Sequence, residues 1–162
     1  MPLLVRKIEK VKWMQNDIIS GSDVSADAIT NCLKTGHNRL SVWEIDKPGE
    51  YLKAALAFAS AMEHLDSFDL VVLGYSKLEE AGLRIVTSEG RTKVQGMAET
   101  HRDIAELTYT TLGILAGLIV EEIRSGEVKR ITVTDIRQIL REAIEAGRLY
   151  KEDLCESLQN KI

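Results

Sequence analysis

The chain has 162 residues, 44% of them hydrophobic, with a formal net charge of -4 and a pI near 5.5. That length suits one domain built on one core, residues 1–162, and the acidic balance excludes a general attraction to nucleic acid or to an anionic membrane surface. Cys32 and Cys155 stand far apart with no Cys-x-x-Cys and no histidine at ligand spacing, so neither a metal nor any other cofactor is implied. The N-terminus turns charged at Arg6 and Lys7, which leaves too short an apolar stretch for a secretory signal, and a cytoplasmic location is expected.

Between Leu3 and Trp13, Val5, Ile8, Val11 and Trp13 are interrupted by Arg6, Lys7, Lys10 and Lys12, a pattern that predicts a solvated edge strand. Asn16 to Ser25 carries the Asp, Ser and Gly of a loop. Ser25 can then cap a short helix through Ala28, Ile29 and Leu33, ended by Gly36. Leu40 to Asp46 alternates as a strand does, and Pro48-Gly49 stops it. Glu50 to Leu65 is alanine-rich, with the propensity and the small-residue face of a helix lying close against a sheet. Phe68 to Tyr75 is apolar without a break, as in a strand buried on both faces.

Ser76 and Glu79 have the spacing of a capping box for a short helix closed by Gly82. Leu83 to Thr87 reads as another strand, and Ser88 to Thr92 is turn chemistry. Glu99 to Arg124 is the longest periodic stretch. Its Ile104, Leu107, Leu112, Leu115, Leu118, Ile119 and Ile123 recur at helical spacing and predict one long core helix. Val128 to Val133 is a connector or short strand. A helix then starts at Thr134-Asp135, carries Ile136, Ile139, Leu140, Ala143 and Ile144 on one face and stops at Gly147, and Tyr150 to Leu158 adds a last short helix.

This order predicts an α+β (or α/β) fold, a small sheet of about four strands covered by helices with a helical C-terminal half. The apolar run within the long helix, Leu112 to Val120, is too short for a membrane span.

Three stretches are candidates for function. Gly113 and Gly117 lie four apart on the side of the long helix away from its apolar stripe, in line with Thr110. Glycine inside a helix costs about 1 kcal/mol against alanine, so the pair needs a reason. Close approach of a neighbouring element is the plain one, and a self-association face is the functional one. The Gly74-Tyr75-Ser76-Lys77 loop follows the most apolar strand and opens a helix, where Ser76 and Lys77 could hold an anion. The helix at 134–147 presents Arg137, Gln138 and Arg141 in the outline of a winged-helix DNA reader, but residues 126–162 carry as many acidic as basic side chains.

The histidines give weaker signals. Glu99, His101 and Asp103 resemble a metal set on paper, yet on a helix His101 points away from the two acids, whose place near a helix start the macrodipole explains. Glu63, His64 and Asp66 could form an acid–base pair, and nothing in the spacing brings Cys32 to His37. The His101-Arg102-Asp103 string lacks the downstream asparagine, the Asp-Phe-Gly and the glycine-rich loop that a protein-kinase reading requires.

The expected function is a non-enzymatic interaction or regulatory module that binds a protein partner or itself, with no membrane role and nucleic acid disfavoured. The alternative is a small-molecule-binding protein or enzyme using loop 74–77 with His64 or His101 as proton carrier, and it requires a histidine and Lys77 to meet in one pocket. A DNA-binding regulator acting through helix 134–147 is the second alternative.

Overall fold

A computed structural model describes residues 1–14 and 23–162 of the chain. Its centre is one sheet of six strands, not four: β1 (Leu3–Ile8), β2 (Leu40–Ile45), β3 (Phe68–Gly74), β4 (Arg84–Thr87), β5 (His101–Ala105) and β6 (Val128–Ile131), in the order β4-β5-β2-β1-β3-β6. Every pairing is antiparallel, which makes the fold α+β and removes the α/β option. The helices are α1 (Lys10–Trp13), α2 (Ala26–Cys32), α3 (Tyr51–Ser60), α4 (Tyr75–Glu80), α5 (Tyr109–Ser125), α6 (Val133–Glu145) and α7 (Glu156–Gln159). None of the helices among the described residues is long and apolar enough to cross a membrane. Residues 16–22 of the expected loop lie outside the described residues.

The sheet is apolar on both sides. Val5, Trp43, Ile45, Phe68, Leu70 and Ile131 form its first face with α3, α6 and α7, whereas Leu4, Ile8, Leu40, Val42, Val71 and Ile104 form the second with α2, α4 and α5. The result is a helix–sheet–helix sandwich with a core cluster on each side.

Two expectations about the sheet are corrected by this arrangement. β1 is not an edge: it pairs with β2 on one side and β3 on the other. Its charges are absorbed internally, since the Lys7 ammonium lies 5.1 Å above the Phe68 ring and Arg6 is bonded to backbone carbonyls. Lys10 and Lys12 fall outside the strand, in α1.

The helix expected from Glu99 to Arg124 is three elements, the end of a 3-10 turn at Ala98–Thr100, a strand and a helix. His101–Ala105 is a strand held between β2 and β4, with Leu40 opposite Ile104 and Trp43 opposite His101. Glu106 then adopts φ 56°, and Thr108 caps α5 by accepting from the Thr111 amide while the Thr111 hydroxyl accepts from the Thr108 amide. Ile104 and Leu107 matched a helical period by their spacing alone, and two flanking strands decide otherwise.

Smaller corrections concern helix starts. α4 begins at Tyr75 with Gly74 at its N-cap and no side-chain cap, so the Ser76–Glu79 box does not form. α6 begins at Val133, capped by Thr132 in a reciprocal pair with Asp135, and Tyr150–Leu158 is a 3-10 turn at Lys151–Asp153 followed by α7.

Candidate functional site

Antiparallel register puts Ser41 opposite Asp103 and Trp43 opposite His101 on the first face of the sheet. Side chains two apart on a strand share a face, so His101 and Asp103, which a helix would have separated, stand side by side. α3 covers this face only as far as Ser60. Beyond its end, the sheet surface between residues 61–66 and the 88–91 segment is a cleft of about 1150 Å³. His101, Trp43, Lys7, Phe68 and Ser88 are among the residues that line it.

The 88–91 segment lies directly on the floor of the cleft, and only glycine permits this. A Cβ on Gly90 would stand 2.7 Å from both His101 Cβ and Trp43 Cη2. The Gly90 amide is tied to the Ala98 carbonyl at 3.1 Å. This approach brings Ser88 Oγ to 2.7 Å from His101 Nδ1.

His101 is 8% exposed, and Trp43 meets its ring edge to face at 5.0 Å and 74°. Burial favours the neutral imidazole and holds its pKa below the ordinary value; Asp103 and the bond to the Ser88 backbone pull the other way, and Arg102 adds slightly to the lowering. Among the described residues, Trp13 Nε1 is the buried side-chain nitrogen or oxygen without a partner. His101 Nε2 makes no hydrogen bond among the described residues, and His101 lines the cleft. Asp103 accepts from Ser41 Oγ at 3.3 Å and pairs with Arg39 at 3.6 Å. Burial also lowers the pKa of Lys7 on the apolar wall, against the opposing charge of Glu9.

The residues singled out in the sequence are dispersed. Lys77 pairs with Glu121 and Glu122 of α5 at 2.9 Å each, on the second face of the sheet, and neither it nor Ser76 lines the cleft of His101 and His64. The histidine and Lys77 therefore do not meet. Gly113, Gly117 and Thr110 lie on the outer side of α5, and a Cβ on either glycine meets nothing within 4 Å among the described residues. Among the described residues no neighbouring element comes close enough for the two glycines to act as its spacers.

Arg137, Gln138 and Arg141 line a shallow depression of about 500 Å³ together with Glu142 and Glu145, and Arg137 donates to the Lys161 carbonyl. Glu63, His64 and Asp66 sit on the wall of the main cleft. Cys32 is buried and its Sγ accepts from the Glu9 amide, while His37 is exposed on a turn. No group of three metal-ligating side chains exists among the described residues.

Ser88, Trp43 and Gly90 escaped the sequence reading. A Gly two residues after a Ser in turn chemistry is too common to signal anything, and the Trp43–His101 pairing depends on register between strands far apart in sequence. No family model, no curated protein and no solved structure matches this chain.

Proposed function

We propose that this chain is a small-molecule-binding protein equipped for acid–base chemistry, with its site in the cleft on the first face of the sheet and His101 as the proton-carrying group. One observation carries the reading: His101 Nδ1 is engaged by Ser88 at 2.7 Å while Nε2 is left for whatever enters the cleft. In the tautomer whose Nδ1–H donates to Ser88, Nε2 keeps its lone pair, and the burial that lowers the ring's pKa favours this neutral base. Ser88 then acts as a positioning residue. Trp43 and Phe68 provide apolar surface for the body of a ligand, and Lys7 provides a cation near it. The site differs from the one expected at loop 74–77.

The test is a thermal-shift screen of polar metabolites, followed by 1H–15N spectra of each hit. A genuine ligand shifts the Trp43 indole and the His101 ring, and its affinity falls about tenfold in His101→Gln, the cost of one buried hydrogen bond. Hits that leave Trp43 and His101 untouched, or bind His101→Gln equally well, would refute the assignment.

A second reading, self-association through the outer side of α5, is favoured by Gly113 and Gly117, over which no described residue lies within 4 Å of an added Cβ, and by Tyr109, 95% exposed on the same side. Two copies could approach closely there about a two-fold axis.

A further inference from the structure

Beside the cleft, and sharing Ser41, Arg91 and Asp103 with it, is a second cavity of about 690 Å³. Its charged lining is Arg6, Lys34, Arg39 and Arg91 against the single carboxylate of Asp103, with His37 at its rim. This surplus of positive charge runs against the net charge of -4 of the whole chain. Concave walls of one sign concentrate the field inside them.

Arg6 is the informative member. Its Nε and Nη2 donate to the Cys32 carbonyl at 3.2 and 2.9 Å, and its Nη1 donates to the Ser41 carbonyl at 2.8 Å. All three bonds go to two backbone carbonyls, and among the described residues no carboxylate forms an ion pair with it. A largely buried guanidinium without an anionic partner is costly unless something else supplies the charge. Guanidinium has five donors in a fixed fork, of which these bonds use three.

The rim is held in place as well. Residues 36–39 form a tight turn closed by two bonds of 3.0 Å between Gly36 and Arg39, with His37 and Asn38 at φ 53° and 59°. The Asn38 carbonyl accepts from the Leu107 amide at 2.9 Å, which ties the turn to the end of β5. Arg39 is thus carried on fixed backbone, and its pairing with Asp103 at 3.6 Å is a loose one.

We propose that this second cavity binds the phosphate group of a small phosphorylated ligand whose apolar part lies against Trp43 in the adjoining cleft. The proposal rests on the cleft being a ligand site, and it adds the chemical class of the ligand. Arg39 and Arg91 would pair with the phosphate, Arg6 would add positive potential to the same cavity, and Asp103 would hold Ser41, which lines both compartments.

The experiment uses the full chain and three probes, inorganic phosphate, phenyl phosphate and phenol, read by 1H–15N chemical shifts. Phosphate is expected to shift the amides of Gly36, Arg39 and Arg91. Phenyl phosphate is expected to bind about tenfold more tightly and to move the Trp43 indole too, as joining two subsites predicts. In Arg39→Gln/Arg91→Gln, whose parent side chains are exposed, phosphate and phenyl phosphate should weaken about tenfold, while phenol, which carries no anion, should weaken far less although Arg91 also lines the cleft. Lys34→Gln, which leaves the Arg39–Asp103 pair intact, should give a smaller loss in the same direction.

If phosphate at about 20 mM shifts nothing in this cavity, or shifts it equally in the double variant, the anion subsite is wrong, and phenol still reports separately on the cleft. If phosphate binds but neither phenol nor phenyl phosphate reaches Trp43 and His101, the cleft reading fails and the joined site fails with it. A single-stranded oligonucleotide that binds with length-dependent, salt-sensitive affinity, where phenyl phosphate does not bind, would overturn the small-ligand assignment in favour of a nucleic-acid surface.

Discussion

Gly90 has no side chain because His101 and Trp43 occupy the space one would need. A methyl group placed there meets their atoms at 2.7 Å, and both neighbours are themselves packed on the sheet. Gly90→Ala is therefore expected to cost about 1–3 kcal/mol, read as a lower urea midpoint, and to break the Ser88–His101 hydrogen bond by lifting the segment. An unchanged midpoint would mean that the 88–91 segment does not lie on the cleft floor. His101 gives a second prediction. Because burial lowers its pKa, the unfolded chain binds a proton that the folded chain refuses just below the ordinary histidine value. Its contribution to stability is fully present above that value of 6.5 and is lost as the pH falls below it. Thermal melts from about pH 7.5 down to about pH 5.5 should show a falling midpoint, less steep in His101→Gln than in the parent.

Among the elements, α5 departs furthest from what its neighbours require. Its inner side, Leu115, Ala116, Ile119 and Ile123, is buried in the second core, whereas its outer side carries two glycines with nothing among the described residues within 4 Å of the added Cβ. If the glycines serve no partner, Gly113→Ala and Gly117→Ala should each stabilise the helix by up to about 1 kcal/mol, since alanine loses less backbone entropy. If they form a self-association face, light scattering at two concentrations should show a dimer that Gly113→Leu/Gly117→Leu converts to a folded monomer. The two outcomes are separable because stability and mass are measured independently. β3 and β6 show a different economy. Asp69, 6% exposed, accepts both oxygens' worth of contact from Arg130 at 3.1 Å and also caps the Lys10 amide at 3.0 Å, so one buried carboxylate joins β3, β6 and α1.

For the whole molecule, β1 is the mechanical centre. Its alternating residues feed both cores, Val5 on the first face and Leu4 on the second, each 0% exposed. Amide exchange in β1 should consequently be the slowest in the chain and open only with global unfolding, whereas β4 and β6, the two outer strands, should exchange by local opening. Exchange from β1 as fast as from β4 would mean that the two cores unfold independently. The same central position places Arg6 and Lys7 on opposite faces, one toward the anion cavity and the other toward the cleft.

Much of this architecture was legible in the sequence. β2, β3 and β4, the Ser25 cap of α2, the alanine-rich α3 and the amphipathic α6 follow from local period and cap chemistry, because those signals act over distances of a few residues. The site was not legible. His101 and Asp103 share a face only in a strand, and β5 is a strand only because β2 and β4 flank it; its own residues fit a helix about as well. β1 likewise looked like an edge until Phe68 and the Cys32 and Ser41 carbonyls took up its two charges. Local sequence thus determined which segments are regular and where most of them stop. Register and strand order, which depend on partners tens of residues away, decided which side chains meet in the cleft.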